Sequence, residues 1–277
     1  MVLIMMRSLI LRAILIACLF MYGSWLFAQD ESKAAATDFS DQILLLEKKA
    51  NAGDIDAQSE LGFEYLFGGR VKADGFKAEH WLLGPANKGD PAAQTALGYI
   101  YEEGVGVVPN LDAAVRWYMK AVDKDHPVAQ SRLGYIYKTD KGQYRDYGAA
   151  VKLLERAASW GDEYAQANLA DMYEKGLGTE KDLVAAASWY SAAAVQNHLM
   201  AQKRMAHFYE HGLGVDQDYI KAYMWYDIAG VWEGEDMPQE DPRYALAQKM
   251  TPEQLLRART LANDWWSEHF TQKDGTF

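Results

Sequence analysis

The sequence predicts an all-α protein, an α/α solenoid of five 36-residue helix-turn-helix repeats with a capping helix at each end. Three observations predict it. Ala57-Gln58 recurs as Ala93-Gln94, Ala129-Gln130, Ala165-Gln166 and Ala201-Gln202, each 36 residues after the last. Further columns keep the same period: Leu61 returns as Leu97, Leu133, Leu169 and Met205, and Tyr65 as Tyr101, Tyr137, Tyr173 and Tyr209. A turn rich in glycine follows these columns, as in Gly104-Val105-Gly106, Gly176-Leu177-Gly178 and Gly212-Leu213-Gly214. Independent columns sharing one period mark a stacked repeat array, in which no unit can bury its apolar faces alone.

The chain opens with a segment to be set apart from the fold. Residues 1–12 carry Arg7 and Arg12 and no acid, residues 13–27 are almost wholly apolar, and Ala28-Gln29-Asp30 begins a polar stretch. This order reads as a signal peptide over 1–28. Its apolar run is short of the roughly 20 residues that span a bilayer, so no membrane span is expected in the mature chain. An uncleaved anchor is the alternative. Leu15-Ile16-Ala17-Cys18 also has the form of a lipobox that would anchor Cys18 to lipid, but apolar residues continue beyond the cysteine. The expected location is the periplasm or the exterior.

Residues 29–40 are polar and read as a linker. Residues 41–52, with Ile43, Leu44, Leu45 and Leu46, read as the leading cap helix. The repeats then occupy 53–88, 89–124, 125–160, 161–196 and 197–232. In each first helix the alanine, leucine and tyrosine columns lie four apart and share one face. Glycine just past the helix end takes the left-handed cap conformation. The second helix carries Trp81, which returns as Trp117, Leu153, Trp189 and Trp225. Residues 233–250, acidic and holding Pro238 and Pro242, read as a loop and linker. Thr251-Pro252-Glu253-Gln254 is a capping-box start with proline at the first helical position, so 251–270 reads as the closing helix, with Leu255, Leu261, Trp265 and Trp266 on it.

The unit Ala-Gln-x-x-Leu-Gly-x-x-Tyr-x-x-Gly-x-Gly resembles the Sel1-like repeat, related to the tetratricopeptide repeat. Its second half is clear in Lys221-Ala222-Tyr223-Met224-Trp225-Tyr226-Asp227-Ile228-Ala229. The third unit departs from it, with Leu153 for tryptophan and Asp140-Lys141-Gly142 at the turn. The resemblance implies an adaptor or scaffold that binds proteins, and it carries no shared catalytic residues.

On a helical wheel Phe63 and Phe67 fall nearly opposite Ala57, Leu61 and Tyr65. By the same resemblance this is the groove side. Its columns run Phe63, Tyr99, Tyr135, Asp171, His207 and Phe67, Glu103, Thr139, Lys175, His211. Phe63, Phe67, Tyr99 and Tyr135 are therefore the expected partner-binding groove, for a protein or peptide. The alternative is that they pack across neighbouring helices. Stacking aromatics also suit sugars, so cell-wall fragments are a second class of partner.

Catalytic patterns are few. His207-Phe208-Tyr209-Glu210-His211 has the H-x-x-E-H form of an inverted zinc-protease motif. The repeat itself dictates Tyr209 and Gly212, so a zinc hydrolase is the remote reading and no metal or other cofactor is expected. If a weak metal site exists, its ligands are His207, His211 and Asp171, one repeat earlier. The Gly-x-Gly turns follow helices and lack a Lys-Ser/Thr ending, which excludes phosphate loops. The chain has 28 basic and 39 acidic residues; without Arg7 and Arg12 the net charge is −13. Such a chain repels phosphate backbones, so nucleic acid is not an expected partner. Cys18 is the sole cysteine, so no internal disulfide forms.

Overall fold

The computed structural model describes residues 40–230 and 241–270. The segment 1–28 read as a signal peptide, Cys18 and the residues read as a linker up to 39 lie outside the described residues, as does 231–240 of the acidic loop. Among the described residues there is no strand, and no helix is long and apolar enough to cross a membrane. The helices are α1 (40–51), α2 (Ile55–Phe67), α3 (Gly75–Asn87), α4 (Pro91–Glu103), α5 (Leu111–Val122), α6 (Pro127–Thr139) and α7 (Tyr147–Ser159). They continue as α8 (Glu163–Lys175), α9 (Leu183–Val195), α10 (Leu199–His211), α11 (Tyr219–Ala229), α12 (Pro242–Ala247) and α13 (Pro252–Phe270).

Two compact units divide at Ala114, within α5. In the first, α2 packs on α3 and α3 on α4. In the second, α6 packs on α7, α7 on α8, α8 on α9, α9 on α10 and α10 on α11. Consecutive packed helix pairs of this kind are the α/α solenoid architecture. The repeat columns supply the core: Ala57, Leu61 and Tyr65 in α2, and Ala165 and Leu169 in α8, are buried, as are their counterparts Ala201 and Met205 in α10. Each such leucine or methionine stabilises the fold by about 1.5–3 kcal/mol.

The helix starts recur as regularly as the core. Second helices follow Asp74, Asn110, Asp146, Asp182 and Asp218, a 36-residue column whose side chains accept from first-turn N–H groups. First helices follow Asp54, Asp90 and Asp162, which cap in the same way. Each cap contributes about 1 kcal/mol. Histidine replaces aspartate twice. His198 still caps, its Nδ1 accepting from the Ala201 N–H at 3.2 Å, whereas His126 makes no side-chain cap bond.

Where one repeat passes to the next, the chain turns through a left-handed residue: Gly53, Gly89, Asp125, Gly161 and Asn197. Glycine, asparagine and aspartate are the residues that tolerate this region. The glutamine of the repeat then reaches back to the end of the previous helix. Gln58 donates to the Ala50 carbonyl at 3.0 Å, Gln94 to Ala86 at 2.9 Å, and Gln166 to Ala158 and Gln202 to Ala194 at 3.2 Å each. Gln130 donates instead to the Asp125 carboxylate, at 3.4 Å.

The second glycine of each double-glycine turn meets the preceding repeat. A side chain on Gly214 would sit 2.0 Å from the Leu183 carbonyl oxygen, and one on Gly178 would sit 2.3 Å from that of Tyr147. These positions need glycine for contact as well as for backbone angle. The tyrosine column is half-buried except for Tyr65, and three of its hydroxyls reach glutamates on the preceding helix: Tyr65 donates to Glu47 at 3.0 Å, Tyr173 to Glu155 at 2.9 Å, and Tyr101 to Glu79. Burial and then the Glu79 carboxylate push the Tyr101 hydroxyl up to about 12.

At the ends, α1 buries Ile43, Leu46 and Ala50 while Leu44 and Leu45 face solvent. The capping box at Thr251 forms, with Gln254 N–H donating to Thr251 Oγ1 and Thr251 N–H to Gln254 Oε1. On α13 the inward residues are Ala258 and Ala262, with Trp265 edge-on to Trp225 at 6.3 Å, and Leu261 is exposed. The region read as loop and linker over 233–250 contains the short helix α12. Asp241 caps it, Leu246 is buried, and Arg243 is held by Asp241 and by Asp227 at 2.7 Å. The Asp-Pro start and this ion-paired arginine override the loop-like composition.

Two outcomes follow. Gly214→Ala combines left-handed strain of about 1–2 kcal/mol with overpacking of about 1–3 kcal/mol. Gly161→Ala carries the strain alone, since nothing lies within 4 Å of its added carbon. Urea unfolding should therefore rank Gly214→Ala below Gly161→Ala, and equal losses would contradict the contact. Burial holds His198 below its ordinary value of 6.5, against the opposing pull of Glu163 and Asp162. The unfolded chain thus binds more protons, so stability rises with pH. The His198 contribution is complete above 6.5 and is lost as pH falls through its lower folded value. Thermal melts should show a shallower loss below pH 6.5 in His198→Asn than in the parent; identical slopes would contradict this.

Candidate functional site

The helix α2 places its core column on one side and Phe63 and Phe67 on the other. Phe67 is 74% exposed, Phe63 is half-buried, and their rings lie parallel at 6.2 Å with 3° between planes. Spacing of four on a helix brings such side chains together. Just beyond, Arg70 closes the end of α2: its backbone N–H donates to Glu64 at 2.7 Å and its Nε to the same carboxylate at 3.0 Å. That backbone bond, despite some burial, and the guanidinium hold the Glu64 carboxyl below its usual range. Tyr99 on α4, in the same unit, is half-buried. Tyr135, on α6 in the second unit, is 45% exposed. Phe67 and Tyr135 are thus exposed on their own helices, while Phe63 and Tyr99 are half-buried.

Further along the same register the chemistry changes. Asp171 on α8 binds Lys138 at 2.7 Å and Lys175 at 2.6 Å. Burial pushes its carboxyl up, but the two lysines outweigh burial and hold it below the usual range. The sequence predicts no metal and offers Asp171 only as the third ligand of a weak site beside His207 and His211. The structure assigns it to this double ion pair instead, and the carboxylate that joins the histidines is Glu210. One ligand atom from each of His207, Glu210 and His211 lies within 4.8 Å of the others.

The two rings are 4.2 Å apart at 43°, with His211 Nδ1 3.0 Å from the His207 backbone oxygen. Glu210 accepts from Tyr226 Oη and Lys249 Nζ, each at 3.3 Å. Burial first, then His211 and Arg204, keep His207 below its ordinary value. Sequence columns set Glu210 beside Glu102, Lys138 and Glu174 as one of a charged row; only packing shows it turned toward Tyr226 and the histidines.

Comparison with known proteins gives the same architecture. The family model described as Sel1 repeat matches five times, at residues 55–83, 91–126, 127–162, 163–198 and 199–230, more than half of the chain. A Sel1 repeat protein from Oxalobacter formigenes is similar at 26% identity and TM-score 0.61, over 80% of this chain and 99% of that one. The protective antigen c5321 of uropathogenic Escherichia coli, described as having an SLR fold, is similar at 26% identity and TM-score 0.55, over 83% of this chain. The present chain spans 57% of that antigen's length. No curated protein matches. The five matched repeats, one for each period of 36, establish that this chain belongs to the Sel1 repeat family.

Proposed function

We propose that this protein is a non-catalytic adaptor of the bacterial envelope that grips a protein or peptide through aromatic residues of its first helices. Sel1 repeats form protein-interaction solenoids, and that general role is the frame for the proposal. The observation that carries it is the Phe63–Phe67 pair. A phenylalanine 74% exposed and stacked on a second one is not required by the core of its own helix. Large apolar rings left in water are the usual anchors of a binding face. Tyr135 and Tyr99 continue the same register position in the next repeats. The envelope assignment draws its support from Arg7, Arg12 and the apolar run that follows them.

The test is affinity capture from an envelope extract with residues 29–277 as bait, beside a bait carrying Phe63→Ala, Phe67→Ala and Tyr135→Ala. Truncating an anchoring aromatic costs about 2 kcal/mol or more of binding, roughly 30-fold. A protein held by the first bait should be lost from the second while circular dichroism shows unchanged helicity. Retention of the same proteins by both baits would overturn the site. Capture of none, with retention of purified wall fragments, would replace the protein partner by glycan.

A further inference from the structure

We infer that His207, Glu210 and His211 form a site on α10 for one divalent transition-metal ion of the zinc class. The three ligand atoms already lie within 4.8 Å of one another. Zinc bonds of about 2.0–2.1 Å hold two tetrahedral ligands roughly 3.3 Å apart, so closure asks for a shift of about 1.5 Å. His211 is exposed and can supply that movement.

Two of the three ligands are also prepared by their surroundings. The His211 Nδ1 sits 3.0 Å from the His207 backbone oxygen. A carbonyl only accepts, so this bond places the proton on Nδ1 and leaves Nε2 with the lone pair a metal needs. Ligating histidines generally carry this bond to a backbone carbonyl or carboxylate. Glu210, with its side chain 14% exposed, is oriented by the Tyr226 hydroxyl at 3.3 Å. A carboxylate has lone pairs enough to keep that bond and bind an ion. The nearby guanidinium of Arg204 is paired with Glu174, which offsets its charge. The competing cation is Lys249, at 3.3 Å from Glu210 on a half-exposed flexible stem.

The fold itself asks for none of the three. The His207 column holds Phe63, Tyr99, Tyr135 and Asp171, the His211 column Phe67, Glu103, Thr139 and Lys175, and the Glu210 column Leu66, Glu102, Lys138 and Glu174. Imidazole and carboxylate together suit zinc, nickel or copper better than calcium or magnesium. Three ligands from one helix leave a coordination position open for water or a group brought by another molecule.

The test is calorimetric titration of zinc into the untagged, chelator-treated chain. One ion per chain should bind. His207→Gln, His211→Gln and Glu210→Gln should each weaken it about tenfold or more, with melting temperatures of the metal-free proteins unchanged. Lys249→Met removes the competing cation and should tighten binding, a result that a loss of folding could not produce. No saturable binding, undiminished affinity in the doubly substituted His207→Gln/His211→Gln chain, or unchanged affinity in Lys249→Met would each overturn the site.

Discussion

The rest of the structure depends on the corner where one repeat hands over to the next. A left-handed residue precedes each first helix, a glutamine donates back across the corner, to a helix-end alanine carbonyl at four corners and to the Asp125 carboxylate at the fifth, and an aspartate or histidine starts the helix between them. At Gly161 the turn closes with the Asp162 N–H on the Ala157 carbonyl and the Gly161 N–H on that of Ala158, which also accepts from Gln166. Where glycine is replaced, the substitute joins the network: Asp125 accepts from Gln130, and Asn197 accepts from Gln202. Where the helix ends in alanine, as at Ala158, one bifurcated carbonyl thus helps fix the angle between helices; at Asp125 the carboxylate takes the glutamine instead. The adjoining alanine, buried in every repeat, lets the backbones come close enough for it. Small residue and amide are two halves of one device, which explains why Ala-Gln is the most regular pair in the chain.

Because the corner and the Leu and Tyr columns hold the repeat, the opposite side of each first helix is left unconstrained. Its chemistry varies along the chain: stacked phenylalanines on α2, a lysine-clamped aspartate on α8, and paired histidines on α10. A single scaffold can therefore offer different surfaces without changing its core. Tyr209 and Gly212 belong to the repeat, and only His207, Glu210 and His211 lie in columns where residue type changes freely.

Most of the fold was legible in the sequence because a period is visible without coordinates. The columns at Ala57, Leu61 and Tyr65, the glycine turns and the Thr251 capping box all carry local signals. The capping column Asp74, Asn110, Asp146, Asp182 and Asp218 was equally periodic, yet polar residues in turns are easily passed over as loop composition. Other features required packing. Nothing local says that Gly178 touches Tyr147, or that Arg243 is buried between Asp227 and Asp241 in a segment of loop-like sequence. The candidate site was legible only as positions on a wheel. The wheel placed Phe67 away from its own core, but it could not show that Asp171 would be taken by Lys138 and Lys175, leaving Glu210 beside the histidines.

The measurement that bears most directly on the corner is equilibrium urea unfolding of Gln202→Met. Methionine keeps the length and volume of the buried side chain but removes its bonds to Ala194 and Asn197. If the amide holds the repeats together, stability should fall by about 1–2 kcal/mol with the slope of the transition unchanged. Equal or greater stability in Gln202→Met would contradict the account, since hydrophobic filling alone would then suffice at the corner.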